Sequence, residues 1–532
     1  MSTSVKSWDD SVVGTGALVR LIVRRDRWLL LAWIVLLAGY PILAVANVSP
    51  GYVGLAESPG MLILHGPLYG QGRGALATWS SSDMLWMYGL VSMLLVIRHT
   101  RADEEAGRRE LLGATVVGRH AGLVAALAVT LAGNLVLAVV TAAGQIAQRL
   151  PAAGSLAIGL ELAAVGWTFA AVGAVVAQLT ESAAAARGIG GVVLGGAFVL
   201  RAVGDVISAD DGAPWLSWLS PLGWANEIRP FAGERWWLLG LFALLVAALT
   251  AAAVALSARR DVGAGLVRPG LGAARATPWL RGPLALAWRL QRGPLLGWVG
   301  GLVVLAGVFA GAAESAGEVF ADSEQLRGMF ERLGGRAGAS DVFLAGTFSI
   351  LGIIAGGFAV QAGLRLRTEE EQLRAEPVLV TGTARLRWVA SHLAFSLLGP
   401  AAALAAAGLV SGLVYGFSVD DVAGQVPRLL GAAMVQLIGV WVLTGIVVAL
   451  FGLMPRLVPA AWAAWVAFLV LLLLDAFDGV SQSLLDLSPF THLPKLPGGH
   501  LNTTPLGLVL GTAAALVVVG LLGFRRRDVG RT

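Results

Sequence analysis

The stretch "RHTRADEEAGRRELLGATVVGRH", residues 98–120, places nine charged side chains in a chain of 532 residues that is only 13% charged. A second stretch, "RLRTEEEQLRAEPVLVTGTAR" at 365–385, repeats it. At an offset of 266, Arg101 matches Arg367, Glu104 matches Glu370, Glu105 matches Glu371, Arg108 matches Arg374, and Glu110 matches Glu376. Thr115 and Arg119 match Thr381 and Arg385, and Asp103 faces Glu369. Further on, "LSPLGW" (219–224) is echoed by "LSPFTH" (487–492), and "RRDRWLLLAW" (24–33) by "LQRGPLLGW" (290–298). The chain is an internal duplication.

What lies between the charged stretches decides the class. Hydrophobic residues make up 57% of the chain and the mean hydropathy is +0.76. A bilayer span needs about 20 mostly apolar residues. Twelve such runs are expected, at 28–48, 79–97, 120–142, 155–178, 187–205, 236–257, 294–313, 343–363, 389–412, 428–451, 459–478 and 504–524. The expected fold is an all-α integral membrane protein. Its domains are a first six-helix half, 1–257, a basic Gly/Pro-rich linker, 258–284, and a second six-helix half, 285–532. Six is even, so the halves share one orientation, as a parallel repeat about the membrane normal.

Arginine and lysine set the orientation. With the N-terminus in the cytoplasm, the inside segments hold 28 of the 38 basic residues, and both termini lie inside. The pI near 10 therefore reflects topology, and nucleic acid is excluded as a partner because the basic residues form neither patch nor tail. "AVAN" (44–47) resembles a cleavage site, but the polar leader of 27 residues is long for a signal peptide. An uncleaved first span is expected. There is no cysteine, so disulfides and Cys-ligated metal sites are excluded.

Each charged stretch follows the second span of its half. "RADEEAGRRELLGA" (101–114) reads as one short helix, with acids in the first turn where the helix dipole favours them. Glu104 with Arg108, and Glu370 with Arg374, stand at i,i+4. Topology needs only positive charge, yet both stretches also retain an acidic triplet, 103–105 and 369–371. Two copies that keep these identities while the spans diverge point to a shared recognition role.

This order of elements, met twice, resembles the ABC-2-type exporter permeases. The twelve-span form is similar to the fused actinobacterial permeases known as polyketide-antibiotic or multidrug exporters. The resemblance implies a pseudo-dimer of type V halves, in the bacterial inner membrane. It implies that the two stretches are coupling helices, with Arg101, Glu104, Glu105, Arg108 and Glu110, and Arg367, Glu370, Glu371, Arg374 and Glu376, reading an ATPase. It also implies connecting helices at about 16–27 and 284–293, and outward elements at 214–235 and 480–500. Two copies of a separate ABC ATPase subunit would bind ATP and Mg, the chain itself holding no cofactor. The expected cargo is a small amphiphilic, antibiotic- or drug-like compound.

A Walker A loop requires Gly-Lys-[Ser/Thr], and the lysines stand only at 6 and 495, neither after glycine. The chain is expected to be a permease and not an enzyme. The six histidines (65, 99, 120, 392, 492, 500) form no metal motif. The alternative is a proton-coupled twelve-helix secondary drug transporter. "ADEEAGRRE" approaches the loop signature of that class, but its spacing is one residue too long and the second copy lacks its glycine and arginine pair. Ionisable residues within spans are candidates for a substrate path: Glu161, Arg201, Asp205, Asp475 and Asp478.

Overall fold

A computed structural model describes residues 11–48, 52–56, 59–113, 116–211, 215–261, 263–267, 275, 279–322, 338–474 and 481–527. The fold is all-helical. Among the described residues, twelve helices are long and apolar enough to cross a bilayer. Spans one to six are Thr15–Ala46, Arg73–Glu105, Ala121–Ala147, Ala152–Leu179, Ala183–Ser208 and Trp237–Ala258. Spans seven to twelve are Pro283–Glu314, Ala339–Glu371, Arg385–Ser418, Val422–Leu453, Pro455–Leu472 and Thr503–Arg526. Each covers one of the twelve apolar runs. Helices suit this composition because a bilayer core offers backbone groups no partner, and a helix satisfies its own.

The chain divides into two compact units, Met1–Gly272 and Ala273–Thr532. In the first, span four is the most enclosed helix; in the second, span eight is. Without a hydrophobic drive between helices in lipid, close packing through small residues holds them together. A Cβ at Gly159 in span four would meet the Ala138 carbonyl of span three. Gly452 and Gly520 bring spans ten and twelve into mutual backbone contact in the same way. Large apolar side chains such as Leu36, Leu43, Leu244 and Leu508 are left on the outside.

The first span runs from Thr15 to Ala46 and loses helical geometry at Asp26 (φ −111°, ψ 16°), where the expected connecting helix ends. In the second unit Pro294 lies inside the leading helix, Pro283–Asp322. The two Ser-Pro elements form in both units. Ser220 caps Pro221–Asn226 and Ser488 caps Pro489–His492, each hydroxyl accepting the backbone N–H two residues on.

Candidate functional site: the two charged corners

The second span of the first unit ends at His99, and Thr100 (φ −115°, ψ −85°) breaks it. Two short helices follow, Arg101–Glu105 and Arg108–Gly113. Between them Gly107 takes a left-handed φ of 69°. The expected single helix is therefore a corner. Glycine adopts this conformation without Cβ strain and turns the chain. The second unit makes the same corner: Ala339–Glu371 ends, Leu373 takes φ 57°, and Ala375–Val380 follows. Even the hydrogen bonds match. The amides of Ala106 and Gly107 reach the Ala102 and Glu104 carbonyls, and those of Gln372 and Leu373 reach Thr368 and Glu370.

The corner also changes the expected ion pairs. Arg108 bonds Asp103 (2.6 Å) and Arg374 bonds Glu369 (3.1 Å), five residues apart across the turn, in place of Glu104–Arg108 and Glu370–Arg374. The break in the helix removes the i,i+4 geometry and frees the middle glutamate of each triplet to face inward.

Glu104 is buried and gathers three arginines. Arg260 grips it with two bonds of 2.9 Å, Arg101 approaches to 2.9 Å, and Arg109 closes the group. Such two-pronged guanidinium–carboxylate bonds are strong and geometrically specific. Arg101 is fully buried and also donates twice to the Ala177 carbonyl (2.6 and 2.8 Å). That oxygen belongs to the last turn of span four, where carbonyls lack helical partners and the dipole is negative. Arg260, just past span six, additionally bonds Gln178 (2.7 Å). Glu105 accepts the amide of Ala183, the first residue of the helix that forms span five (2.9 Å). The corner is thus bolted to the ends of spans four, five and six.

In the second unit, Glu370 is buried against Arg527, just past span twelve (2.6 Å). The Arg527 guanidinium also lies over the rings of Phe451 (4.7 Å) and Phe524 (5.4 Å). Arg367 differs from Arg101: it is partly exposed, pairs with Glu371 (2.5 Å), and reaches the Arg456 carbonyl at the start of span eleven (3.2 Å).

Of the ten residues singled out, Arg101, Glu104 and Glu370 are buried and engaged inside their unit. Glu105, Arg108, Glu110, Glu371, Arg374 and Glu376 stand on the surface. Thr115 lies outside the described residues. Arg260 and Arg527 were missed, because arginines flanking spans read as topology signals. The available signal was a second repeat, "RRDVG" at 259–263 and 526–530, offset by 267.

A further network fixes the break in span one. Buried Asp26 takes two bonds from Arg98 (3.0 and 3.1 Å) and meets His99 Nε2 at 3.1 Å. Arg25 bonds Asp103 (3.3 Å) and lies 2.7 Å from His99 Nδ1. The leading helix is thereby tied to the base of span two.

The candidate path residues part company. Arg201 and Asp205 pair at 3.5 Å. Arg201 also donates to the Ile63 and Leu64 carbonyls, and Asp205 accepts the Ser217 hydroxyl (2.7 Å). Both hold short helices in place, Pro59–His65 and Ser217–Leu219. Asp475 and Asp478 lie outside the described residues. Glu161 is buried in span four and lines a cavity of about 30 Å³ with His65, Tyr69, Thr78, Asn226 and Arg229. Burial, with Arg201 nearby, lowers the His65 pKa to about 4, and its ring sits 3.0 Å from the Trp79 carbonyl. That contact calls for a protonated Nδ1, so neutral His65 donates there. Burial, with Glu227 beside it, raises the Tyr69 phenol.

The family model described as "Multidrug efflux system permease Rv1217c, C-terminal domain" matches residues 280–525. The chain is similar to the multidrug efflux system permease protein Rv1217c of Mycobacterium tuberculosis. The two are 43% identical over 527 residues, spanning 97% of this chain and 95% of that protein.

Proposed function

The chain belongs to the multidrug efflux system permease family of Rv1217c, and on that footing we propose that it is the membrane subunit of an ATP-driven ABC exporter. ATP and Mg are bound by two copies of a separate ATPase subunit. The cargo is an amphiphilic, drug- or antibiotic-like compound. The protein sits in the bacterial inner membrane with both termini in the cytoplasm.

The observation that carries this reading is the twofold occurrence of the bolted corner. Each corner offers a charged outer surface, Glu105, Arg108 and Glu110 in one unit and Glu371, Arg374 and Glu376 in the other. Each is anchored behind by a buried carboxylate–guanidinium clasp to the end of its unit's last span. A force applied to the outer surface is passed to the spans and is not absorbed by a loose loop. That is what a helix coupling ATPase closure to the membrane must do. Arg101, Glu104, Glu370 and, in part, Arg367 transmit; the exposed six residues receive.

The test is co-purification with the ATPase of its efflux system. Glu110 and Glu376, exposed on the two corners, are changed together to Lys, and binding and stimulated ATP hydrolysis are compared with wild type. Loss of both, with an unchanged melting temperature, is expected. An unaltered ATPase complex, or no association in the wild type, overturns the coupling role. A proton-gradient uptake assay then tests secondary transport.

A further inference from the structure

Among the described residues, the buried acids obey a rule with one exception. Asp26 faces Arg98, Glu104 faces Arg260, Asp205 faces Arg201, and Glu227 faces Arg229 and Arg235. Glu369 and Glu370 face Arg374 and Arg527. Among the described residues, Glu161 is the buried acid with no cation beside it. Its Oε2 has no hydrogen-bond partner, and it is 3% exposed. An unpaired carboxylate at this depth is costly to ionise, and acids in spans are kept for a reason.

The cavity beside Glu161 is small and mostly apolar, with a few polar atoms set into it. Two further buried atoms lining the same cavity are unpartnered, Thr78 Oγ1 and Asn226 Nδ2. Neither nearby base supplies the missing cation. Arg229 is held by Glu227 (2.8 Å) and stacks on the Tyr69 ring at 4.0 Å. His65 is neutral, its ring engaged at the Trp79 carbonyl. The cavity is built by four separate elements: Pro59–His65, Arg73–Ser81, span four and Pro221–Asn226. It lies toward the start of span four. Glu161 is nine residues in, about 14 Å along the axis, whereas the charged corner is bonded to the other end of that helix.

We propose that this cavity is a binding site for the protonated amine of an amphiphilic ligand. Glu161 supplies the counter-charge, Thr78 Oγ1 accepts an ammonium hydrogen, and Asn226 Nδ2 donates to an oxygen carried on the same ligand. The volume admits an ammonium head and excludes a whole drug-sized molecule, so the apolar body of the ligand lies in the opening. Only the identification of that ligand as cargo rests on the export function proposed above.

The test uses the full chain in lipid nanodiscs, without ATPase. The probes are dansylcadaverine, a fluorescent primary amine, and its neutral N-acetyl derivative. Wild type is expected to bind the amine at least tenfold more tightly. Glu161→Gln should abolish that preference, keep the weak binding of the acetylated probe, and leave the melting temperature unchanged or raised, since no partner is orphaned. Glu161→Asp should retain part of the preference. Thr78→Leu, which fills the cavity and leaves the carboxylate in place, should also lose the amine. A wild type indifferent to the acetyl group, or a Glu161→Gln protein that still prefers the amine, overturns the site. Should Glu161→Gln unfold, Thr78→Leu decides alone: retained amine binding there overturns the site. Amine binding without ATP-driven transport would count against export alone; ATP-driven efflux without any amine preference would count against this site alone.

Discussion

The two charged corners share a backbone and differ in how firmly they are held. Both turn at a left-handed residue, Gly107 or Leu373, and both send the middle glutamate inward to an arginine beyond the last span. In the first unit three arginines converge on Glu104, and Asp26 adds a second tie to the leading helix. In the second unit Glu370 is bound by Arg527, which leans on two phenylalanine rings. The geometry that survives duplication is the corner and its clasp. The reinforcement around the clasp is free to vary.

Removing the clasp carboxylates should separate the units most sharply. Glu104→Ala leaves Arg101, Arg109 and Arg260 facing one another in a buried space, at a cost of about 3–5 kcal/mol. Glu370→Ala leaves a single guanidinium, that of Arg527, resting on its two ring contacts, at a cost of about 1–3 kcal/mol. Thermal unfolding of the two variants measures the gap; equal losses would mean that the extra arginines around Glu104 add nothing.

Acid should come next. His65 lies in the first unit, and its pKa falls from 6.5 to about 4 on folding. The unfolded chain therefore takes up the proton first. The stability held by neutral His65 is full above pH 6.5 and is lost progressively as pH falls to about 4. Hydrogen-exchange protection across residues 59–82, taken relative to the intrinsic rate at each pH, should fall over that window in wild type and stay flat in His65→Asn. An identical pH profile in the variant would remove His65 as the cause.

The leading helix gives a smaller contrast. Asp26→Asn keeps the shape but weakens two charge-assisted bonds from Arg98 and the contact with His99. The expected loss is about 1.5–3 kcal/mol. In the second unit Pro294 lies in the leading helix and forbids a backbone bond by its own chemistry. Pro294→Ala should therefore cost little, and a large loss there would show that the proline ring itself makes a contact the helix depends on.

The twelve spans were legible because bilayer thickness imposes length and apolarity residue by residue. The duplication was legible because charges are rare enough for a repeat to stand out. The clasp was not. Arg260 and Arg527 sit in basic flanks that topology alone explains, and their partners lie 156 and 157 residues away. The i,i+4 reading failed at Gly107, since a helix-period argument holds only while the helix continues. Glu161 was visible as an acid in a span, but its lack of a partner is a property of packing that no local pattern carries.

The smallest expected effect bears on what the shared corner demands of its turning residue. Gly107 and Leu373 occupy equivalent positions at φ 69° and 57°. A side chain there meets its own backbone, a penalty of about 1–2 kcal/mol, offset in part by the entropy that glycine loses on folding, about 0.5–1 kcal/mol. A Cβ added at Gly107 would meet nothing within 4 Å, so the cost of Gly107→Ala is conformational alone. Gly107→Ala should lower stability by about 1 kcal/mol, and Leu373→Gly should raise it by no more than that. Opposite shifts of similar size in melting temperature would identify the left-handed turn as the common constraint on both units. Loss of stability in both would mean that Leu373, although exposed, is fixed by a contact that its lone side chain makes at the surface of the second corner.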